Sequence, residues 1–142
     1  MKLLKAIHNK PQGLVQTSEG LYFIKRGSFP QLQSEAEGLQ AIRNTNTELV
    51  VPEVVQLHSD NLGPVLILTG LKLNGPYDWH LLARGLAQLH AHHGSEFGWD
   101  KDNWIGLEPQ KNIWCKSWSV FFIQFRLKPK LQALEKIGIR LA

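Results

Sequence analysis

The sequence predicts an α+β fold in which a small antiparallel sheet with one inserted helix comes first and helices follow. Three observations point there. Residues 14–25 and 50–68 hold short, β-rich apolar runs separated by turn residues. Between them Leu32, Ala36, Leu39 and Ile42 recur at the spacing of one helix face. After Asn74-Gly75-Pro76 the period changes, with Leu82, Leu86 and Leu89 at i, i+4 and i+7. Strand-forming and helix-forming segments are therefore segregated, which divides the chain into residues 1–72 and 73–142 with a boundary near 72–77.

Leu14-Val15-Gln16-Thr17 and Leu21-Tyr22-Phe23-Ile24-Lys25 read as a hairpin joined by Ser18-Glu19-Gly20, with glycine where the turn needs a positive φ. Ser28-Phe29-Pro30-Gln31 has the spacing of a capping box with proline in the first turn, and Asn44-Thr45-Asn46-Thr47 ends the helix that follows. Val50-Val51 and Val54-Val55 straddle Pro52 and read as a strand, a kink and a second strand. Val65-Leu66-Ile67-Leu68, bounded by Gly63-Pro64 and Gly70, is an unbroken apolar run that predicts a strand buried on both faces. Residues 79–92 predict an amphipathic helix. Residues 94–114, rich in Gly, Asp, Asn, Pro and Trp, predict an ordered loop too long for a plain connector. A last helix starts at Ser117 with Trp118, Phe121, Phe122 and Phe125 on its apolar side, and Pro129 should kink or interrupt it.

The 142 residues, 43% hydrophobic and 20% charged, suit one globular domain, which at this size buries roughly two thirds of its unfolded surface. No apolar run approaches the ~20 residues of a membrane span, and no signal-peptide core follows the basic start Met1–Lys10. The single cysteine, Cys115, excludes an internal disulfide and fits a reducing compartment, so cytoplasm is the expected location. The net charge of +4 is uneven: the two ends are basic, while residues 31–110 hold ten acidic against four basic side chains. The basic residues from Lys116 to Arg140 fall on several helix faces, which speaks against nucleic acid as a partner.

Tyr22-Phe23-Ile24-Lys25 puts a lysine at a strand end, and Glu35 lies beside the apolar stripe of the next helix. A strand lysine fixed by a helix glutamate is how kinase-like folds hold the ATP phosphates, because phosphoryl transfer depends mainly on positioning and charge neutralisation. A solvated lysine ending a strand gives the same pattern. His90, His92 and His93 contain no i, i+4 pair, and they read as a helix-end cluster suited to the dipole rather than a metal site. Trp99, Trp104, Trp114 and Trp118 read as core, with a sugar-stacking platform as the alternative. Cys115 has no histidine partner that would make it a nucleophile, and Asp100 and Asp102 read as loop-capping residues.

From near residue 14 to its end the sequence resembles the fructosamine/ketosamine-3-kinase family, whose fold is protein-kinase-like and akin to the aminoglycoside phosphotransferases. The resemblance runs through Phe23-Ile24-Lys25, Glu35-x-x-x-Leu39-x-x-Ile42, Val51-Pro52-Glu53-Val54, Leu66-Ile67-Leu68 and Leu86-Ala87-Gln88-Leu89-His90. Its most distinctive part is Phe97-Gly98, Asp102-Asn103, Ile105-Gly106, Pro109-Gln110, Asn112 and Trp114, leading to Trp118, Phe121-Phe122 and Arg126. The resemblance implies a nucleotide-binding lobe over residues 1–72 and the first helices of a catalytic lobe over 73–142. It implies that Lys25 contacts the α- and β-phosphates, that Glu35 is its partner, and that Leu68-Thr69-Gly70-Leu71 is the hinge meeting adenine. Such enzymes use ATP, with Mg2+, to phosphorylate the sugar of ketosamines on proteins and small amines; the unstable product then frees the amine.

The chain departs from that pattern in three places. Thr69 stands where the hinge usually carries an acidic residue, residues 1–13 offer only Gly13 towards a phosphate-covering loop, and Ala142 precedes any His-Gly-Asp catalytic loop or metal-binding aspartate. Hence no catalytic residue and no metal ligand is expected within these residues. The chain is expected not to turn over alone, and to associate with itself, to be partly molten, or to bind a chain supplying the catalytic lobe. The alternative is a non-catalytic interaction module built on the same lobe.

Overall fold

The structure, a computed structural model, describes residues 6–73 and 75–139. The basic start Met1–Lys5, Asn74 of the predicted break, Arg140 and the terminal Ala142 lie outside the described residues. The chain divides into two packed units, Met1–His92 and His93–Ala142.

In the first unit, β1 (Gly13–Thr17), β2 (Gly20–Arg26), β3 (Val54–Asp60) and β4 (Gly63–Thr69) form one antiparallel sheet in the order β1-β2-β4-β3. Helix α1 (Phe29–Arg43) is inserted between β2 and β3. Its start is the predicted capping box: Gln31 Oε1 accepts from the Ser28 N–H at 3.2 Å and from the Ser28 hydroxyl at 2.7 Å, with Pro30 in the first turn.

Strand β4 is central, and its apolar run is buried on both sides as the sequence predicts, with Val65, Leu66, Ile67 and Leu68 all at 4% exposure or less. Alternation sends Leu66 and Leu68 to one face, where they meet Leu32, Ala36 and Leu39 of α1 together with Phe23, Val54 and Leu57. Val65 and Ile67 go to the other face, against Ile24 and Ile7, with Val15 and Tyr22 at the edge. Full burial of such side chains stabilises by about 1.5–3 kcal/mol each, so this strand dominates the stability of the unit.

One strand reading is corrected. Val50-Val51 is not a strand: Val50 is largely exposed, and the Val51 carbonyl accepts from the Arg43 guanidinium at 2.8 Å instead of a neighbouring strand. The strand after Pro52 runs on through Gln56-Leu57-His58 to Asp60, with a bulge between Val54 and Gln56. Helix α2 (Trp79–His90) is capped by Asp78, whose carboxylate accepts from the Leu81 N–H at 2.9 Å. It packs within the first unit where Gly85 meets Leu49, while Leu82 and Leu86 of its apolar stripe remain exposed.

In the second unit the expected loop 94–114 contains a hairpin, β5 (Asn103–Ile105) and β6 (Glu108–Gln110), turned at Gly106 with φ +59°. Phe97 and Cys115 pair across the base through two backbone hydrogen bonds of 2.7 and 2.8 Å. Gly98 lies beside that pair with φ +147°, where a Cβ would sit 2.0 Å from the Ile113 carbonyl oxygen, so no other residue fits. After Ser117 come α3 (Trp118–Phe122), a π-helical turn over Ile123–Leu127, and α4 (Lys128–Lys136). The interruption predicted at Pro129 takes the form of that wide turn. Proline has no N–H for the Phe125 carbonyl, and the Arg126 guanidinium supplies the missing donor at 2.9 Å.

Leu66→Ala should destabilise the chain by about 2–5 kcal/mol in urea unfolding, because the site is closed on both faces. Leu14→Ala, at a position 57% exposed, should change stability by no more than about 0.5 kcal/mol. Equal effects of the two changes would contradict the assignment of β4 as the core.

Candidate functional site

Strand alternation decides which way Lys25 points. Lys25 pairs with Leu66 of β4 and shares parity with Phe23, so it stands on the α1 side of the sheet. Glu35 occupies the second turn of α1, and its Oε2 lies 2.5 Å from Lys25 Nζ. The two side chains are 39% and 32% exposed, so the pair contributes little to stability, on the order of 0–1 kcal/mol. What it does is fix an ammonium group at a defined point beside the sheet. Glu37, the other acidic residue of the helix, accepts from Gln33 instead.

Leu68, Thr69, Gly70 and Leu71 continue from β4, which returns antiparallel past β2. The Leu68 side chain is 4% exposed and belongs to the core, and its backbone lies in the ladder between Phe23 and Val54. Thr69 is tied to Glu53 twice: its N–H donates to the Glu53 carbonyl at 3.0 Å, and its hydroxyl oxygen accepts from the Glu53 N–H at 2.8 Å. The Gly70 N–H donates to the Leu21 carbonyl at 2.8 Å, and a Cβ on Gly70 would lie 2.6 Å from Leu21 Cγ. Thr69 thus braces the end of β4 against the chain entering β3. Leu71 is the first residue past the tied backbone. Four residues separate the level of Leu66 from Gly70, about 13 Å along an extended chain, so Lys25 and Gly70 lie towards opposite ends of one stretch of the sheet.

Three further features stand out, of which the first two had no signal in the pattern of the sequence. The first is a hub around Arg26 and Asp60. Arg26 binds both Asp60 oxygens at 2.9 and 2.8 Å, and it also donates to the carbonyls of Lys10 at 2.9 Å and Gly63 at 3.4 Å. Asp60 further accepts from the Asn9 N–H and the Leu62 N–H, and its side chain is 2% exposed. The Arg26 guanidinium above all, and then those N–H groups, hold the Asp60 carboxyl well below the usual carboxylate range. The segment before β1 is therefore pinned at Asn9–Gln12.

The second is a groove of about 580 Å³ in the first unit, walled by Leu49, Val50, Lys72 and Leu82 and bordered by Tyr77 and Trp79. The last two rings stack at 5.6 Å and 17°.

The third lies in the second unit, where Asn112 is the centre of the most distinctive motif. Its side chain donates to the Lys101 carbonyl at 3.0 Å and accepts from Arg126, while Asp102 accepts from the Asn112 N–H at 2.9 Å and pairs with Lys111. Arg126 also lies 4.6 Å over the Phe121 ring. Asp100 accepts from the Trp114 indole N–H at 3.2 Å. The aspartates thus cap the loop, as the sequence suggests. Of the four tryptophans read as core, Trp114 and Trp118 are 48% and 55% exposed, while Trp99 and Trp104 are half-buried. Among the described residues, no group of three or more His, Cys, Asp or Glu side chains could hold a metal ion, and no helix is long and apolar enough to cross a membrane.

The family model for fructosamine kinase matches residues 7–142. The chain is 35% identical over 135 residues to a "Probable ketoamine kinase" of Vibrio parahaemolyticus, covering 90% of this chain and 46% of that protein. It is 40% identical over 116 residues to another from Synechocystis, covering 77% of this chain and 39% of that one. Among solved structures, it is similar to the "Putative fructosamine-3-kinase" of Haemophilus somnus with a TM-score of 0.69 and 29% identity, over 83% of this chain and 41% of that one. The chain thus spans less than half the length of these relatives.

The Asp60 hub has a pH signature. A carboxyl held below its ordinary value adds stability that is fully present above the unfolded value of about 4 and is lost as pH falls below it. Asp60→Asn should therefore be less stable than the wild type at pH 7, and the gap should narrow steadily below about pH 4. Urea unfolding of both proteins between pH 7 and 3 checks this; a gap independent of pH would contradict it.

Proposed function

The chain belongs to the fructosamine kinase family, and on that premise we propose that it is the nucleotide-binding portion of an ATP-dependent kinase acting on the sugar of ketosamines. The observation that carries this reading is the Lys25–Glu35 pair at 2.5 Å, on the same extended surface as the hinge. Lys25 would neutralise the α- and β-phosphates and Glu35 would hold it there, since a preorganised ammonium needs no reorganisation during transfer. Adenine would meet the Leu68–Leu71 segment at its Leu71 end, since Leu68 is held in the sheet ladder and the Thr69 and Gly70 N–H groups are already bonded within the sheet region. Phosphorylation of a ketosamine on a protein or small amine would lead to release of the amine. In this division residues 1–72 form the nucleotide lobe, and α2 opens the helical lobe although it packs in the first unit.

On this reading ATP would be held by Lys25 and by the Leu68–Leu71 backbone, and Mg2+ would ride on its phosphates; among the described residues no group of three or more His, Cys, Asp or Glu side chains offers that ion a site of its own. No step is therefore routed through it. The base that would receive the sugar hydroxyl proton has no candidate either, as the sequence contains no His-Gly-Asp. We assign the remaining chemistry to the part of the relatives' length that this sequence does not span, which would pack on apolar surface such as that of Trp118, Phe122 and Ile123, each 42–55% exposed. A location in the cytoplasm is the reading that goes with a single, free cysteine, and among the described residues no helix is long and apolar enough to cross a membrane. The second reading, a lobe that serves only as an interaction module, is favoured by the same exposed aromatics.

The 142-residue chain alone should not transfer phosphate from ATP to a fructosamine. Mixed with a polypeptide corresponding to the second half of a relative, it should form a complex in sedimentation and gain activity that Lys25→Ala removes. Activity of the unmixed chain, or activity of the complex that survives Lys25→Ala, would refute the assignment. A complex without activity would favour the interaction module.

A further inference from the structure

We infer that Arg26 is a positioning residue for Lys25, acting through its clamp on Asp60 and the segment Asn9–Gln12. The inference rests on the nucleotide-binding reading of Lys25. It begins from a gap in the sheet. The ladder between β1 and β2 ends with the pair Gly13↔Ile24, one residue before Lys25. Beyond Ile24, β2 keeps its β4 side, where Lys25 faces Leu66 and Arg26 faces Val65, and has no β1 backbone opposite. A strand end held on one side frays, and a side chain carried on it inherits that motion.

Side chains replace the missing strand. Gln12 Oε1 accepts from the Arg26 N–H at 3.1 Å, taking the role of the absent carbonyl. The Arg26 guanidinium then reaches back to the Lys10 carbonyl and forward to Asp60 and the Gly63 carbonyl, in the β3–β4 turn region. Asp60 binds the Asn9 N–H, so the chain before β1 is tied to the same point. The two-pronged contact between Arg26 and Asp60 has the geometry that a lysine in place of Arg26 could not reproduce. The result is a strand end fixed from both edges at the residue after Lys25. The direction in which the Lys25 side chain leaves the sheet towards Glu35 is fixed with it.

A purely structural clamp would affect stability and nothing else, so the test reads Lys25 itself in folded protein. The variants are Arg26→Lys, Asp60→Asn and the milder Gln12→Ala, which removes one exposed hydrogen bond; Arg84→Gln, breaking the separate pair with Glu48, is the control. Each is kept well below its unfolding temperature, and folding is checked by circular dichroism. Two quantities are measured: the 13Cε–1Hε signal of Lys25, assigned with Lys25→Arg and referenced to Glu35→Gln, and the dissociation constant for ADP.

The clamp variants that fold should move the Lys25 signal towards its position in Glu35→Gln, and Gln12→Ala should do so to a smaller extent. Arg26→Lys and Asp60→Asn should weaken ADP about tenfold, as expected when a charge-assisted contact is partly lost. Arg84→Gln should change neither quantity. An unmoved Lys25 signal in every folded clamp variant, Gln12→Ala included, would overturn the inference. If the wild type does not bind ADP, the nucleotide reading falls, and the Lys25 signal still decides whether Arg26 positions this lysine.

Discussion

The burial of Val65-Leu66-Ile67-Leu68 on both sides of β4 is the constraint from which the rest follows. Because successive side chains alternate, a slip of one residue between β2 and β4 would exchange every inward and outward position. With Leu66 and Leu68 committed to α1, and Val65 and Ile67 to Ile7 and Ile24, such a slip would strand apolar groups on both faces at once. The register is thereby fixed, and Lys25 is left on the α1 side within reach of Glu35. An exposed ion pair could not impose that arrangement by its own strength; it is a consequence of the core.

That logic explains why some of the molecule could be read from its sequence. An uninterrupted apolar run between two glycine-containing turns has few homes other than a central strand, so β4 was legible. Lys25 and Glu35 were legible together because one periodicity placed the lysine at a strand end and another placed the glutamate beside the helix stripe. Val50-Val51 misled because β-branched residues favour strands only where a partner strand is available. Here Arg43 takes the Val51 carbonyl. The hairpin at Asn103–Gln110 escaped because its strands are three residues each, too short for any alternation to register. Arg26 and Asp60 lie 34 positions apart and are both polar; only the folded sheet brings them together.

The most distinctive motif residues in the second unit do structural rather than chemical work among themselves. Asn112 joins the loop to Arg126, Arg126 covers Phe121 and satisfies the Phe125 carbonyl that Pro129 cannot, and the π turn accommodates both. These groups brace a turn of helix whose Trp118 and Phe122 remain open to solvent. Their chemistry explains how the loop is held. The functional reading rests instead on the far plainer lysine and glutamate of the first unit.

The most direct test is a map of where a nucleotide touches this chain. Backbone amide signals recorded by NMR during titration with a non-hydrolysable ATP analogue should shift at Phe23–Lys25 and at Leu68–Leu71, and Lys25→Ala should abolish the shifts at low analogue concentration. Shifts confined to the groove beside Leu49, Tyr77 and Trp79, or shifts that persist unchanged in Lys25→Ala, would show that the lysine–glutamate pair and the hinge are not the nucleotide site.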